Sequence, residues 1–182
     1  MANKTDRRIQ RTRHALVQAF TSLLLEPRRY DQIKVSEIVE RADVGRSTFY
    51  EHYKSKEEIL AESIQRPFAA LAQSVDADCG VDNLRVALDH FWQNRSQARG
   101  IFGGAARRPV ARILATMIQA RLTARLKAQA PSDALRIRLA AIALAEAQLG
   151  IIAVWLGGEI ACSTEPVAQV LRDMARAVAA AT

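Results

Sequence analysis

The sequence predicts an all-α protein of about nine helices. Three observations carry that expectation. No Val/Ile/Thr-rich alternating run stands out, so strands are not expected. Apolar residues recur instead at three- and four-residue spacings along most of the chain. Capping residues, prolines and glycine pairs fall between these periodic runs, where helices start and stop. The chain has 182 residues, of which 49% are apolar and 25% charged. That is a globular composition, long enough to bury a core without disulfides or a structural metal.

The first helix spans 6–25, with Ile9, Leu16, Phe20, Leu23 and Leu24 building one face. Pro27 and the pair Arg28-Arg29 close it. Two short pieces follow, one holding Ile38, Val39 and Ala42, the other Phe49 and Tyr53. Ser55, with Glu58 three residues on and Ile59-Leu60 behind it, reads as a capping box that opens the next helix. That helix runs to about Val75, with Pro67 expected to kink it. Residues 76–82 form a loop. A helix over 83–95 carries Leu84, Leu88, Phe91 and Trp92 on one side. Gly103-Gly104 breaks a short helix, and 109–129 form a long one with Ile113, Leu114, Met117, Ile118, Leu122 and Leu126 on its face. Pro131-Ser132-Asp133 ends that helix and caps the next, which reaches Leu156. Gly157-Gly158 stops it, and Thr164-Glu165-Pro166 starts the last helix.

Charge narrows the partners. Lys plus Arg number 26 against 19 Asp plus Glu, a net +7, which favours a polyanion. Residues 1–15 contain basic residues and no apolar stretch, so no secretory signal is expected. Cys79 and Cys162 are too few for a disulfide framework or a zinc finger. Both are expected to be inert thiols in a reducing cytoplasm. Residues 139–156 touch the lower length limit of a membrane span. Glu146 and Gln148 within it point to a helix buried in protein or at a subunit interface, and no membrane partner is expected.

Chemistry concentrates in residues 34–56. Two helices of seven or eight residues flank a turn at Asp43-Val44-Gly45, spacing that suits a helix-turn-helix over about 34–53. Ile38, Val39, Ala42, Val44, Phe49 and Tyr53 lock the helices together. Arg46, Ser47, Tyr50 and Lys54 are then left on the outer side of the second helix, where such side chains read bases and grip phosphates. Gly45 is placed as that helix's cap. Lys56 in the first turn of the following helix opposes the helix dipole, which a nearby phosphate would justify.

At these residues the sequence resembles the tetracycline-repressor (TetR) family of bacterial regulators. The resemblance lies in Val35, Ile38, Ala42 and Val44, then Ser47-Thr48-Phe49-Tyr50, His52, Tyr53, and Lys56-Glu57-Glu58 with Leu60. It covers about 55 residues. The rest of the chain is similar in helix count and in Leu149-Gly150 with Trp155-Leu156-Gly157-Gly158. Lys34 stands where the family often has a Thr cap, and Gly45 where a Ser is common.

The resemblance implies an N-terminal three-helix DNA-binding domain at 1–55 and a larger helical ligand-binding and dimerisation domain at 56–182. It implies a ligand-released repressor acting as a homodimer on double-stranded DNA. Tyr50 and His52 would contact DNA backbone or base edges, and Arg46, Ser47 and Thr48 would face bases. Ser36, Lys54 and Lys56 would hold phosphates. Lys4, Arg7, Arg8, Arg11 and Arg13 form a basic arm that could add contacts. Two recognition helices about 34 Å apart would meet a pseudo-palindromic operator. Dimer contacts are expected from 135–156 and 165–181, with Ala140, Ala143, Ala147 and Gly150 allowing close approach and Ile151, Val154 and Trp155 adding area. A small-molecule effector would sit among Phe91, Trp92, Phe102, Met117 and Trp155, with a buried Glu146 as a polar anchor.

No cofactor or metal is implied. No Ser/His/Asp set, metal spacing or nucleotide motif appears, which disfavours an enzyme. A DNA-binding scaffold answering to a protein partner is the other alternative.

Overall fold

The computed structural model describes residues 4–26, 30–104, 106–126 and 131–182. Those residues form nine α-helices, one 3-10 turn and no strand. Pro27, Arg28 and Arg29, expected to close the first helix, lie outside them. The chain divides into two compact units, Met1–Gln65 and Arg66–Thr182.

The first unit opens with α1 (Lys4–Leu24), which buries Leu16, Ala19, Phe20, Leu23 and Leu24. Ile9, expected on that face, is 40% exposed. It lies two helical turns before Leu16, beyond the stretch of α1 that meets the core. A 3-10 turn at Tyr30–Gln32 precedes α2 (Val35–Arg41) and α3 (Arg46–His52). The 3-10 turn has no counterpart among the expected elements. α1 packs on α2, and α2 on α3.

The link between α2 and α3 is set by backbone hydrogen bonds. Asp43 N–H donates to the Glu40 carbonyl at 3.2 Å and Val44 N–H to that of Val39 at 3.0 Å. These are the paired bonds of a Schellman motif, which needs a left-handed residue after the helix. Asp43 supplies it with φ 52°. Gly45 is extended at φ −71° and caps α3.

Helix α4 (Lys56–Gln73) continues through Pro67 and ends in the second unit. Its start departs from a regular capping box. Ser55 Oγ accepts from Glu57 N–H at 3.2 Å, while Glu58 Oε2 accepts from Lys54 N–H at 2.8 Å.

The second unit holds α5 (Val81–Gln93), α6 (Arg95–Gly103), α7 (Arg107–Leu126), α8 (Pro131–Gly157) and α9 (Thr164–Ala181). The largest packing is α7 on α8, followed by α5 on α9 and α6 on α8. Gly104 ends α6 where the Gly100 carbonyl leaves no room for a Cβ. Gly158, at φ 87°, ends α8 in a second Schellman motif, with Gly158 N–H bonded to Trp155 O and Glu159 N–H to Val154 O.

By length and composition, Asp133–Gly157 is apolar enough to cross a membrane. Burial in protein accounts for one face of it. Ile137, Ala141, Leu144, Ala145, Leu149 and Ile152 are at most 1% exposed. Its other face is open, with Leu135, Leu139 and Ile142 exposed, and Val170 is exposed on α9. Trp155, expected to add interface area, is 1% exposed within its own unit, and its Nε1 donates to Cys162 O.

Candidate nucleic-acid interface

Helix α3 is anchored from below. Phe49 is fully buried and Tyr53 nearly so, their rings 5.7 Å apart. On α2, Ile38 and Val39 are buried, while Ala42 and Val44 are half-buried. A seven-residue helix held along one side leaves the other side free. Arg46, Ser47 and Tyr50 are exposed there, and Thr48 and His52 are half-buried; Lys54, expected on this helix, is exposed two residues beyond its end because the chain turns extended at Tyr53. Ser36 is exposed on α2.

The aromatic side chains organise this surface. Phe49 meets Tyr50 edge to face at 5.4 Å between centroids. The Arg46 guanidinium carbon lies 5.8 Å from the Tyr50 ring centroid, within cation–π range. Arg46 and Tyr50 thus form one exposed patch of charge, donors and a flat apolar face. Such a patch can hydrogen-bond to base edges and phosphate oxygens.

Two expected contacts have other roles. Lys56 Nζ donates to the carbonyls of Tyr30, Asp31 and Ile33 at 2.9, 3.2 and 3.1 Å. It also lies 4.4 Å from the Tyr30 ring centroid. All three ammonium donors are therefore used on backbone, and Lys56 ties the 3-10 turn to α4 in place of gripping a phosphate. Arg13 of the basic arm pairs with Glu62 and lies over the Tyr53 ring at 5.4 Å. Arg7, Arg8 and Arg11 remain exposed. Lys34 has no side-chain acceptor, so α2 has only the reverse half of a capping box, Lys34 N–H to Glu37 Oε2 at 2.8 Å.

These pairs shift titration. Burial alone would raise the Glu62 carboxyl, but the hydrogen bonds and charge of Arg13, with Tyr53, hold it below its ordinary value. Burial, reinforced by the charge of Glu62, pushes the Tyr53 hydroxyl up to about 12. Burial likewise raises the Cys79 thiol, which keeps it protonated and unreactive.

The residues expected around an effector fall into separate groups. Phe91 and Phe102 pack at 4.9 Å, and Phe68 stacks on Phe102 at 5.2 Å. All three are at most 4% exposed. Trp92 and Trp155 form a second pair at 4.8 Å, with Arg95 over Trp92. Met117 is half-buried on α7. Glu146 is exposed and pairs with Arg107 at 2.7 Å, so it is no buried anchor. Gln148 is the fully buried polar residue of α8. Its Nε2 donates to Leu71 O at 3.2 Å and Ser74 Oγ at 2.9 Å, tying α8 to the end of α4. No cluster of three metal-binding side chains occurs among the described residues.

Sequence reasoning missed Arg66, which with His90 lines a surface groove of about 540 Å³ between α4 and α5. Its only signal in the sequence was a charge beside Pro67 and the small pair Ala69-Ala70, with Phe68 between them turned into the core.

The sequence profile of the family described as "Bacterial regulatory proteins, tetR family" matches residues 24–63. Over 66 residues, 36% of this chain, the sequence is 46% identical to the uncharacterized HTH-type transcriptional regulator YxbF of Bacillus subtilis (strain 168), covering 17% of that protein. Over 92 residues, 50% of this chain, it is 35% identical to the HTH-type dhaKLM operon transcriptional activator DhaS of Lactococcus lactis subsp. lactis (strain IL1403), covering 49% of that protein. The chain thus spans under half the length of these curated relatives. Its fold is similar to the crystal structure of a TetR transcriptional regulator from Streptococcus agalactiae 2603V, at TM-score 0.58 and 28% identity over 94% of this chain and 97% of that one. A TetR regulator from Rhodococcus sp. RHA1 shares the fold at TM-score 0.52 and 16% identity over 93% and 96%.

Proposed function

We propose that the chain is a regulator of the TetR family, whose profile it matches at residues 24–63 and whose fold it shares, and that it is a cytoplasmic repressor which binds an operator as a homodimer and is released by a small-molecule effector. The observation that carries this reading is α3. Phe49 is fixed in the core while Arg46, Ser47 and Tyr50 stand clear of it. Arg46, Ser47 and Thr48 face bases; Tyr50 and His52 contact backbone or base edges; Ser36 and Lys54 hold phosphates. Lys56 is left out, its donors being occupied.

One such module makes few contacts, so affinity requires two. The exposed stripe on α8, with Val170 on α9, supplies a self-complementary face for a two-fold dimer. The unit Met1–Gln65 reads DNA, and Arg66–Thr182 takes the effector and dimerises. The effector lowers DNA affinity by preferring a conformation whose two recognition helices are wrongly spaced. Phe91, Trp92, Phe102, Met117 and Trp155 form apolar surroundings that an effector would enter only by parting packed rings. Catalysis has no part in this reading.

The test is binding of the purified protein to the intergenic DNA beside its own gene, against a random duplex of equal length, at two salt concentrations. Discrimination of about 10³-fold or more is expected, the low end for specific recognition. No binding to either duplex overturns the reading. Equal, steeply salt-dependent binding to both would mark a nonspecific basic protein, unless Arg46→Ala and Tyr50→Ala changed its preference among sequences. A second reading, activation in place of repression, is favoured by the Lactococcus relative, which is named an activator. A reporter fused to the same DNA decides the sign.

A further inference from the structure

We propose that the groove between the second half of α4 and α5 binds a small organic acid, with Arg66 and His90 on its carboxylate and an apolar floor under its body. The groove holds about 540 Å³ and is lined by Arg66, Pro67, Ala69, Ala70 and Gln73 of α4 and by Asn83, Val86, Ala87 and His90 of α5. That volume lies within the range of small-molecule sites.

The two helices place their residues by period. On α4, Phe68, Leu71 and Ala72 turn into the core while Pro67, Ala69, Ala70 and Gln73 face the groove. On α5, Leu84, Leu88 and Phe91 are buried while Asn83, Val86, Ala87 and His90 face it. Small residues on both walls create the space. Val86 leaves 67% of its surface in solvent, an apolar surface that a ligand body would cover.

Charge selects the occupant. No acidic residue lines the groove. Among the described residues, Arg66 has neither ion pair nor hydrogen bond. The Asn94 amide lies 3.4 Å from His90 Nδ1. The same amide donates to the His90 carbonyl at 2.9 Å, and with Nδ1 turned toward it His90 has Nε2 to offer as a second donor. A guanidinium and an imidazole N–H among Ala, Pro and Val side chains suit a carboxylate with a hydrocarbon body.

This places the ligand in the groove and outside the packed rings of Phe91 and Phe102, and it rests on the effector reading only for its biological purpose; binding is tested without DNA. Backbone amide NMR of the full chain is recorded with phenylacetate, cyclohexanecarboxylate and octanoate at millimolar concentration, each against its neutral carboxamide. At least one acid should shift the amides of Ala69, Ala70, Val86 and Ala87, with its carboxamide at least about tenfold weaker. Arg66→Ala should weaken that acid by a similar factor, and Val86→Trp should fill the groove and abolish binding. Both substitutions are at surface positions, and unchanged melting confirms that the fold survives. If no acid shifts these amides, if acid and carboxamide bind alike, or if the shifts centre on Phe68, Phe91 and Phe102, the proposal is overturned. Operator release is then measured with the same compounds. Groove binding without release leaves the site standing and removes the effector reading; release by compounds that bypass the groove does the reverse.

Discussion

Asp43 shows how a single residue fixes the recognition module. Its φ of 52° closes α2 and aims the chain into α3. Left-handed backbone costs an L-residue about 1–2 kcal/mol, least for Asp and Asn. Asp43→Gly should therefore stabilise the protein by about 0.5–1 kcal/mol, and Asp43→Val should destabilise it by about 1–2 kcal/mol. Urea unfolding measures both; a neutral Val variant would refute the strain argument. Arg13, Glu62 and Tyr53 make a second residue-scale case. The Glu62 carboxyl titrates below its unfolded value, so its contribution is complete above that value, near 4.5, and is lost as pH falls through the lower folded value. Tyr53 works in the opposite direction, contributing fully below about 10 and losing it as pH rises through about 12. Arg13 and Glu62 remain 39% and 33% exposed, so solvent screening limits the pair to about 1 kcal/mol or less. Glu62→Gln should lose that amount at pH 7, and the difference from the parent should vanish on acidification below the ordinary carboxylate range. A difference that persists at low pH would mean that packing, and not charge, carries the effect.

At the scale of elements, the sequence is legible wherever periodicity and punctuation agree. Both helices of the helix-turn-helix, the break at Gly103-Gly104 and the stop at Gly157-Gly158 follow from local signals. The structure adds details that local signals do not carry. Ile9 fits the periodicity of α1, yet the core ends before it. The 3-10 turn at Tyr30–Gln32 is too short to show a period. Lys56 reads as a misplaced cation against a helix dipole, because its partners are backbone carbonyls 23 to 26 residues earlier. The outer face of α3 was legible because burying Phe49 and Tyr53 determines what remains outside. The α4–α5 groove was not, since it depends on which small residues of two helices come face to face. The role of Lys56 can be checked directly. Lys56→Met removes three charge-assisted hydrogen bonds and should cost about 1.5–3 kcal/mol, seen as a lower Tm. A phosphate-gripping lysine would behave differently, leaving Tm alone and reducing the salt slope of DNA binding by about one. The second outcome would restore Lys56 to the interface.

For the whole molecule, the question is what covers the open face of α8. Leu135, Leu139 and Ile142 are 60%, 58% and 45% exposed, and Val170 on α9 is 49% exposed. Residues 135, 139 and 142 follow helical spacing, and the exposed Ala143 and Ala147 extend the same stripe. Isolated exposed apolar residues are ordinary, but a continuous stripe along a long helix marks an interaction surface. Small residues within it let two helices approach closely, as bundle packing requires. A stable dimer needs roughly 800 Å² from each partner, which helices of 27 and 18 residues can supply together. Leu139 is the informative position, because its exposure means that a charge there does not disturb the unit's own core. In the proposed dimer, Leu139→Asp would place two carboxylates in or beside a desolvated symmetric interface, where like charges repel and neither can be hydrated. The variant should run as a folded monomer by light scattering with unchanged helicity. Its operator binding should fall steeply, since each half-site must then be bound independently. A persistent dimer would move the interface off this stripe, and a monomer with full operator affinity would remove the need for two linked recognition helices.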